Sequence, residues 1–194
     1  MNDTIKFDFD EARKPPEGSG KGGTEMIAQM LETGPQDQIF ETVQVVERPR
    51  DEVFAFFADP SNLEAITPPW LRFRLLGHPA PEMRAGAQIE YRLRLRGIPI
   101  RWRSLIDVWE PGRRFVDIQI EGPYARWHHT HTFEDVGRGT RIGDRVIYRL
   151  PFGAVGRHCA GWLVRRDVNQ IFSYRQRKIE QLLGRQAAEW RAVS

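Results

Sequence analysis

Two histidines two residues apart, His129 and His131, stand in the run Trp127-His128-His129-Thr130-His131-Thr132-Phe133. Alternate side chains of an extended strand share a face, so Trp127, His129, His131 and Phe133 point the same way. Imidazoles set between aromatic rings are hydrogen-bonding, titratable groups on a face expected to be apolar, and they need protein partners or a ligand. Such a pair suits proton transfer to a bound carbonyl or hydroxyl, orientation of a ligand's polar end, or a structural network that pins a sheet.

Turn positions predict which carboxylates stand beside them. A two-residue turn at Gly97-Ile98 pairs Leu93 with Trp102, Tyr91 with Ser104 and Ile89 with Ile106. The Pro111-Gly112 turn then sets Val108 against Phe115, Ile106 against Asp117 and Ser104 against Gln119. A three-residue connection over Gly122-Pro123-Tyr124 places Asp117 opposite His129 and Phe115 opposite His131. Finally, a turn at Gly137-Arg138 pairs Phe133 with Ile142, His131 with Asp144, and Trp127 with Tyr148. One face therefore collects Tyr91, Leu93, Trp102, Ile106, Phe115, Gln119, Trp127, His129, His131, Phe133 and Tyr148, with Asp117 and Asp144 beside the histidines. We take Tyr91, Trp102, Phe115, Gln119, Trp127, His129, His131, Phe133 and Tyr148 as candidate ligand-binding residues. If the chain is an enzyme, His129, His131, Asp117 and Asp144 are the candidate catalytic groups.

Other chemistries fit less well. His-x-His offers two metal ligands and Asp117 or Asp144 a third, but count and spacing match no strong metal motif, so neither a metal nor another cofactor is expected. Cys159 is the only cysteine and cannot form an internal disulfide. It follows Gly153-Ala154-Val155-Gly156-Arg157-His158 without a further partner and reads as a core-edge thiol, not a nucleophile.

The elements that position these groups follow from periodicity. Gln38 to Val46 reads as a first strand. Val53, Phe54, Phe56 and Phe57 form a short amphipathic helix that Asp59-Pro60-Ser61 breaks, and Asn62 to Ile66 begins a second. Six strands follow: 71–77, 87–96, 99–110, 113–121, 124–135 and 140–150, an antiparallel meander. From Trp162 to Leu183, Val164, Val168, Ile171, Phe172, Ile179, Leu182 and Leu183 share one stripe of a helix of about 33 Å, with Gly184 as its stop. Between the last strand and this helix, Pro151 to Gly161 is glycine-rich and is expected to be a loop that gates a cavity.

The 194 residues carry 29 basic and 26 acidic groups, and all but four of the basic ones are arginine. Residues 1–37 hold eight acidic and four basic residues and are rich in Gly and Pro, so a disordered acidic extension is expected before a basic domain. Residues 38–184 form that domain and 185–194 a C-terminal tail. No run of about 18 apolar residues and no signal-peptide core are present, which implies a cytoplasmic chain without a transmembrane segment.

Strand, two short helices, six antiparallel strands and a long terminal helix is the order of the α+β helix-grip fold, a curved sheet of about seven strands around the last helix. With Ile66-Thr67-Pro68-Pro69-Trp70-Leu71, Gly122-Pro123-Tyr124, Trp127-His128-His129-Thr130-His131 and Tyr148-Arg149-Leu150-Pro151-Phe152-Gly153, the chain resembles a bacterial branch of the START-like SRPBCC superfamily. That superfamily includes polyketide cyclases/dehydratases and lipid-transfer domains. The resemblance spans Gln38 to Gly184 and implies a cavity between sheet and helix, though no particular ligand.

Three readings follow. The first is a carrier or sensor that binds a small hydrophobic or amphipathic molecule, oriented by His129 or His131. The second is a cyclase/dehydratase-like enzyme using a cavity His-Asp pair. The third is a protein-interaction module with a filled core. On the opposite sheet face, Arg92, Arg94, Arg101 and Arg103, with Arg165, Arg166, Arg175 and Arg177 on the helix, read as solvated basic surface. No specific nucleic-acid motif accompanies them. Leu105, Trp109, Val116, Ile118 and Ile120 are also expected outward, a patch that a homodimer or the folded-back extension would cover.

Overall fold

The computed structural model describes residues 33–77 and 81–184, with the backbone alone at Arg157. The tails 1–32 and 185–194, on which a disordered extension and a C-terminal tail were expected, lie outside the described residues. The elements run β1 (Gln38–Val46), α1 (Arg50–Ala58), a 3-10 turn, α2 (Leu63–Ile66), a second 3-10 turn, β2 (Arg74–Leu76), β3 (Gln88–Leu95), β4 (Ile98–Glu110), β5 (Arg114–Glu121), β6 (Arg126–Val136), β7 (Gly139–Arg149) and α3 (Gly153–Leu183). All seven strands join one antiparallel sheet in the order β1-β7-β6-β5-β4-β3-β2. The fold is the helix-grip α+β arrangement that the element order implies.

Local chemistry sets the boundaries. α1 opens after Pro49 with Asp51 and Glu52 in its first turn, where negative charge favours the helix N-terminus. It stops at Asp59, whose side chain accepts from the Ser61 N–H, and Pro60 cannot continue the ladder. Val53, Phe54 and Phe57 of this helix then bury against Phe115, Phe133, Ile142 and Ile179, locking helix, sheet and α3 together.

Two registers, β3–β4 and β4–β5, depart from the expected ones. The β3–β4 turn is Arg96-Gly97, with φ of 51° and 84°, so Leu95 pairs with Ile98 and Tyr91 with Trp102. Two consecutive positive φ values match the twist of a tight hairpin, and glycine supplies the second without strain. The slip from the expected register is two residues, so the same side chains stay on the inner face. On the outer face, Arg103 now pairs with Glu90, and Arg92 with Arg101. Arg101 bonds Glu90 and Arg103 bonds Glu121, which supplies the acids that facing arginines need.

In β4 a bulge between Ile106 and Val108 carries an extra residue. Trp109 therefore pairs with Phe115 and packs on Phe54 instead of facing outward, and Val108 moves opposite Val116. The outer apolar patch shrinks accordingly: Val116 is buried, and of the expected members only Ile120 is exposed.

The expected gate is helix. α3 begins at Gly153, immediately after the left-handed residue Phe152, and covers most of the glycine-rich stretch. Gly156 permits this, since a Cβ there would sit 2.0 Å from the Pro151 carbonyl oxygen. Cys159 is exposed on this first part of the helix, not at a core edge. Leu182, expected on the buried stripe, is also exposed.

Asp37, read as part of the extension, belongs to the domain. Its carboxylate accepts from the Gly34 N–H at 2.9 Å, from Arg149 at 2.8 Å and from Arg126 at 2.6 Å. These two arginines pair across β6 and β7, so Asp37 fixes the chain entering β1 to the sheet.

Candidate functional site

β5, β6 and β7 carry the polar cluster. Asp117 on β5 lies opposite His129, and Asp144 on β7 lies opposite His131, each by strand register alone. Asp117 Oδ2 is 3.3 Å from both His129 Nδ1 and His131 Nε2. On the other side, Asp144 Oδ1 is 3.1 Å from His129 Nε2 and 2.8 Å from His131 Nδ1. The His129–Asp144 contact is an aligned hydrogen bond, whereas His131 Nδ1 lies off a hydrogen-bond line despite its short distance. The imidazole centroids are 3.8 Å apart, Phe115 stacks on His131, and Phe172 of α3 meets His129 edge-on.

The environment separates the two rings. Burial works against charge on His129, but the hydrogen bonds and charges of Asp117 and Asp144 more than offset it and raise its pKa. Burial, reinforced by the charge of His129, holds His131 below the ordinary histidine range. For Asp117 and Asp144 desolvation opposes ionisation, yet the two histidines outweigh it and hold both carboxyls well below the usual range. Neighbouring His128 points to the opposite face, where burial pushes its pKa down to about 4.

Asp117 is steadied from behind. Trp102 Nε1 donates to Ser104 Oγ at 3.1 Å, and Ser104 Oγ donates to Asp117 Oδ1 at 3.4 Å. That leaves Asp117 Oδ2 to the histidines.

A cavity of about 170 Å³ lies between the inner sheet face and α3. Of the candidate residues, Tyr91, Trp102, Phe115, Asp117, Trp127, His129 and His131 line it. Four others do not. Asp144 sits behind the histidines; Gln119 folds back on the β5–β6 turn, donating to the Tyr124 carbonyl and accepting from its N–H. Phe133 is surrounded by Phe54, Phe57 and Phe115, and Tyr148 is packed beneath Trp127 with its hydroxyl donating to Gln38 Oε1.

Arg175 is the lining residue that the sequence reading put on the surface. Its guanidinium lies over the Phe57 ring, 5.2 Å from Cζ to centroid, and its Nε is buried without a hydrogen-bond partner. The signal was present: Val168, Phe172, Arg175 and Ile179 recur at three- and four-residue steps, which places the arginine on the buried stripe.

A cavity between a seven-stranded curved sheet and a C-terminal helix is what the superfamily resemblance implies, and a family model, described as "Polyketide cyclase / dehydrase and lipid transport", matches residues 37–182. The chain belongs to this family. Several solved structures share the fold of this family member. A START-superfamily protein of Mycobacterium smegmatis aligns at 9% identity and TM-score 0.56, covering 75% of this chain and 96% of the other. The Zhui aromatase/cyclase from Streptomyces sp. R1128 aligns at 16% identity and TM-score 0.57, with 75% and 96% covered. A protein of Thermus thermophilus aligns at 19% identity and TM-score 0.56, with 81% and 100% covered. No curated protein matches the chain in sequence. Among the described residues, no helix is long and apolar enough to cross a membrane.

Proposed function

We propose that this family member binds a small amphipathic molecule, apolar body among Trp102, Trp127 and Phe172, polar end toward Arg175, His129 and His131. The observation that carries the reading is Arg175: a cation at a cavity wall, with a buried nitrogen lacking a protein partner, suits an acceptor on a ligand. Size narrows the class. A cavity near 150 Å³ accepts benzene, so about 170 Å³ fits a ring with a small substituent rather than a long acyl chain. Native mass spectrometry of the purified chain beside its denatured spectrum tests this. A co-purifying mass of that size, released by Trp127→Ala and by Arg175→Met, is expected. No retained mass, together with no thermal shift across a panel of aromatic carboxylates and lipids, would sink the proposal.

A cyclase/dehydratase-like enzyme is a second reading, favoured by two imidazoles side by side on the cavity wall, each within reach of a carboxylate. Conversion of a retained ligand, lost in His129→Ala, separates catalysis from carriage.

A further inference from the structure

Beyond carriage of an organic ligand, the cluster has the form of a metal site. Ligand atoms on a tetrahedral ion with bonds of about 2.0–2.2 Å stand about 3.3–3.6 Å apart. Asp117 Oδ2 is 3.3 Å from His129 Nδ1 and 3.3 Å from His131 Nε2, so two of the three edges already have that length. One ligand atom from each of Asp117, His129 and His131 lies within 4.8 Å of the others, so the three residues can reach one ion. We propose that Asp117, His129 and His131 bind one divalent transition-metal ion of the zinc type, with its fourth position open to the cavity.

Three further observations fit. Asp117, His129 and His131 line the cavity whereas Asp144 stands behind them, so the ligands face the open space and Asp144 takes the supporting place. There it accepts from His129 Nε2, the nitrogen that the ion would leave free, an outer carboxylate of the sort that orients metal-bound imidazole. Ser104 holds the second oxygen of Asp117 and is itself held by Trp102, which orients the carboxylate ligand in the same way. Within the cluster, one divalent cation between two neutral imidazoles offsets the charge of the two buried carboxylates, Asp117 and Asp144. No sequence motif announced this, because the third ligand comes from a neighbouring strand and not from the His-x-His spacing.

The test is a calorimetric titration of the tag-free full chain with zinc chloride alone, followed by NMR of the histidine rings. The expected result is one ion per chain, with the His129 and His131 ring resonances shifted or broadened. His131→Ala and Asp117→Asn, each removing a ligand, should weaken binding more than loss of an outer partner does, which is about 10–100-fold. Asp144→Asn should retain the stoichiometry and lose about 10–100-fold in affinity. Absence of one-to-one binding by the native chain overturns the proposal. So does binding that leaves the His129 and His131 resonances unmoved, a readout that does not depend on any variant folding. Metal alone is the probe, so failure here leaves the organic-ligand reading standing, and a missing organic ligand leaves this result unaffected.

Discussion

The Arg175 guanidinium lies over the Phe57 ring, 5.2 Å from its centroid, at the wall of the cavity. That contact is worth about 0.5–1 kcal/mol or somewhat more when desolvated, and it leaves Nε buried without a partner, which costs stability. Arg175→Met removes both and keeps the stem's packing. Its melting temperature should match or exceed that of the native chain by about 2–4 °C, while the co-purifying ligand is lost. A fall of several degrees in a calorimetric scan would show that Arg175 is held by the fold and not reserved for a ligand.

Asp144 Oδ1 is hydrogen-bonded to His129 Nε2 and lies 2.8 Å from His131 Nδ1. Asp144→Ala leaves His129 and His131 with Asp117 alone in a buried setting, and breaking one member of such a network costs about 3–5 kcal/mol. Urea unfolding should show this as a lower midpoint with an unchanged slope. A loss under about 1 kcal/mol would mean that the cluster does not exist as a connected unit.

Asp37 gives an acid dependence far from the cavity. Burial opposes its ionisation, but hydrogen bonds from Arg149 and Gly34 and the charge of Arg126 outweigh this and lower its pKa. A carboxyl lower in the folded than in the unfolded chain adds stability above about pH 4, and the addition is lost as pH falls through the folded value. Asp37→Asn should therefore be less stable than the native chain at about pH 7, by about 1–3 kcal/mol. The two curves should converge once the pH has fallen through the folded-state value of Asp37. Parallel curves across that range would refute the anchor.

Gly156 supplies a sign test for the start of α3. Glycine to alanine inside an unobstructed helix stabilises by about 1 kcal/mol. Here the added Cβ meets the Pro151 carbonyl oxygen at 2.0 Å, so Gly156→Ala should destabilise instead and speed hydrogen exchange over the first turns of the helix. Slower exchange in the variant would return this stretch to the loop that its glycines suggest.

Period-two alternation and turn residues were enough to read the strand order, the inner face and the pairs Asp117–His129 and His131–Asp144, because a strand's faces are fixed by the backbone and a hairpin's register by its turn. Even the misplaced β3–β4 turn left the inner face intact, since an error of two residues preserves parity. Tertiary structure decided the rest. Trp109 turned inward at a bulge that carries no clear local signal, and Arg175 became a cavity group because the sheet closed over its side of α3. Gln119, Phe133 and Tyr148 share the inner face with the cavity residues, yet a turn, a phenylalanine cluster and a neighbouring tryptophan occupy them. Facing inward is a property of the backbone, set residue by residue; bordering empty space depends on which other side chains arrive there, and only packing determines that.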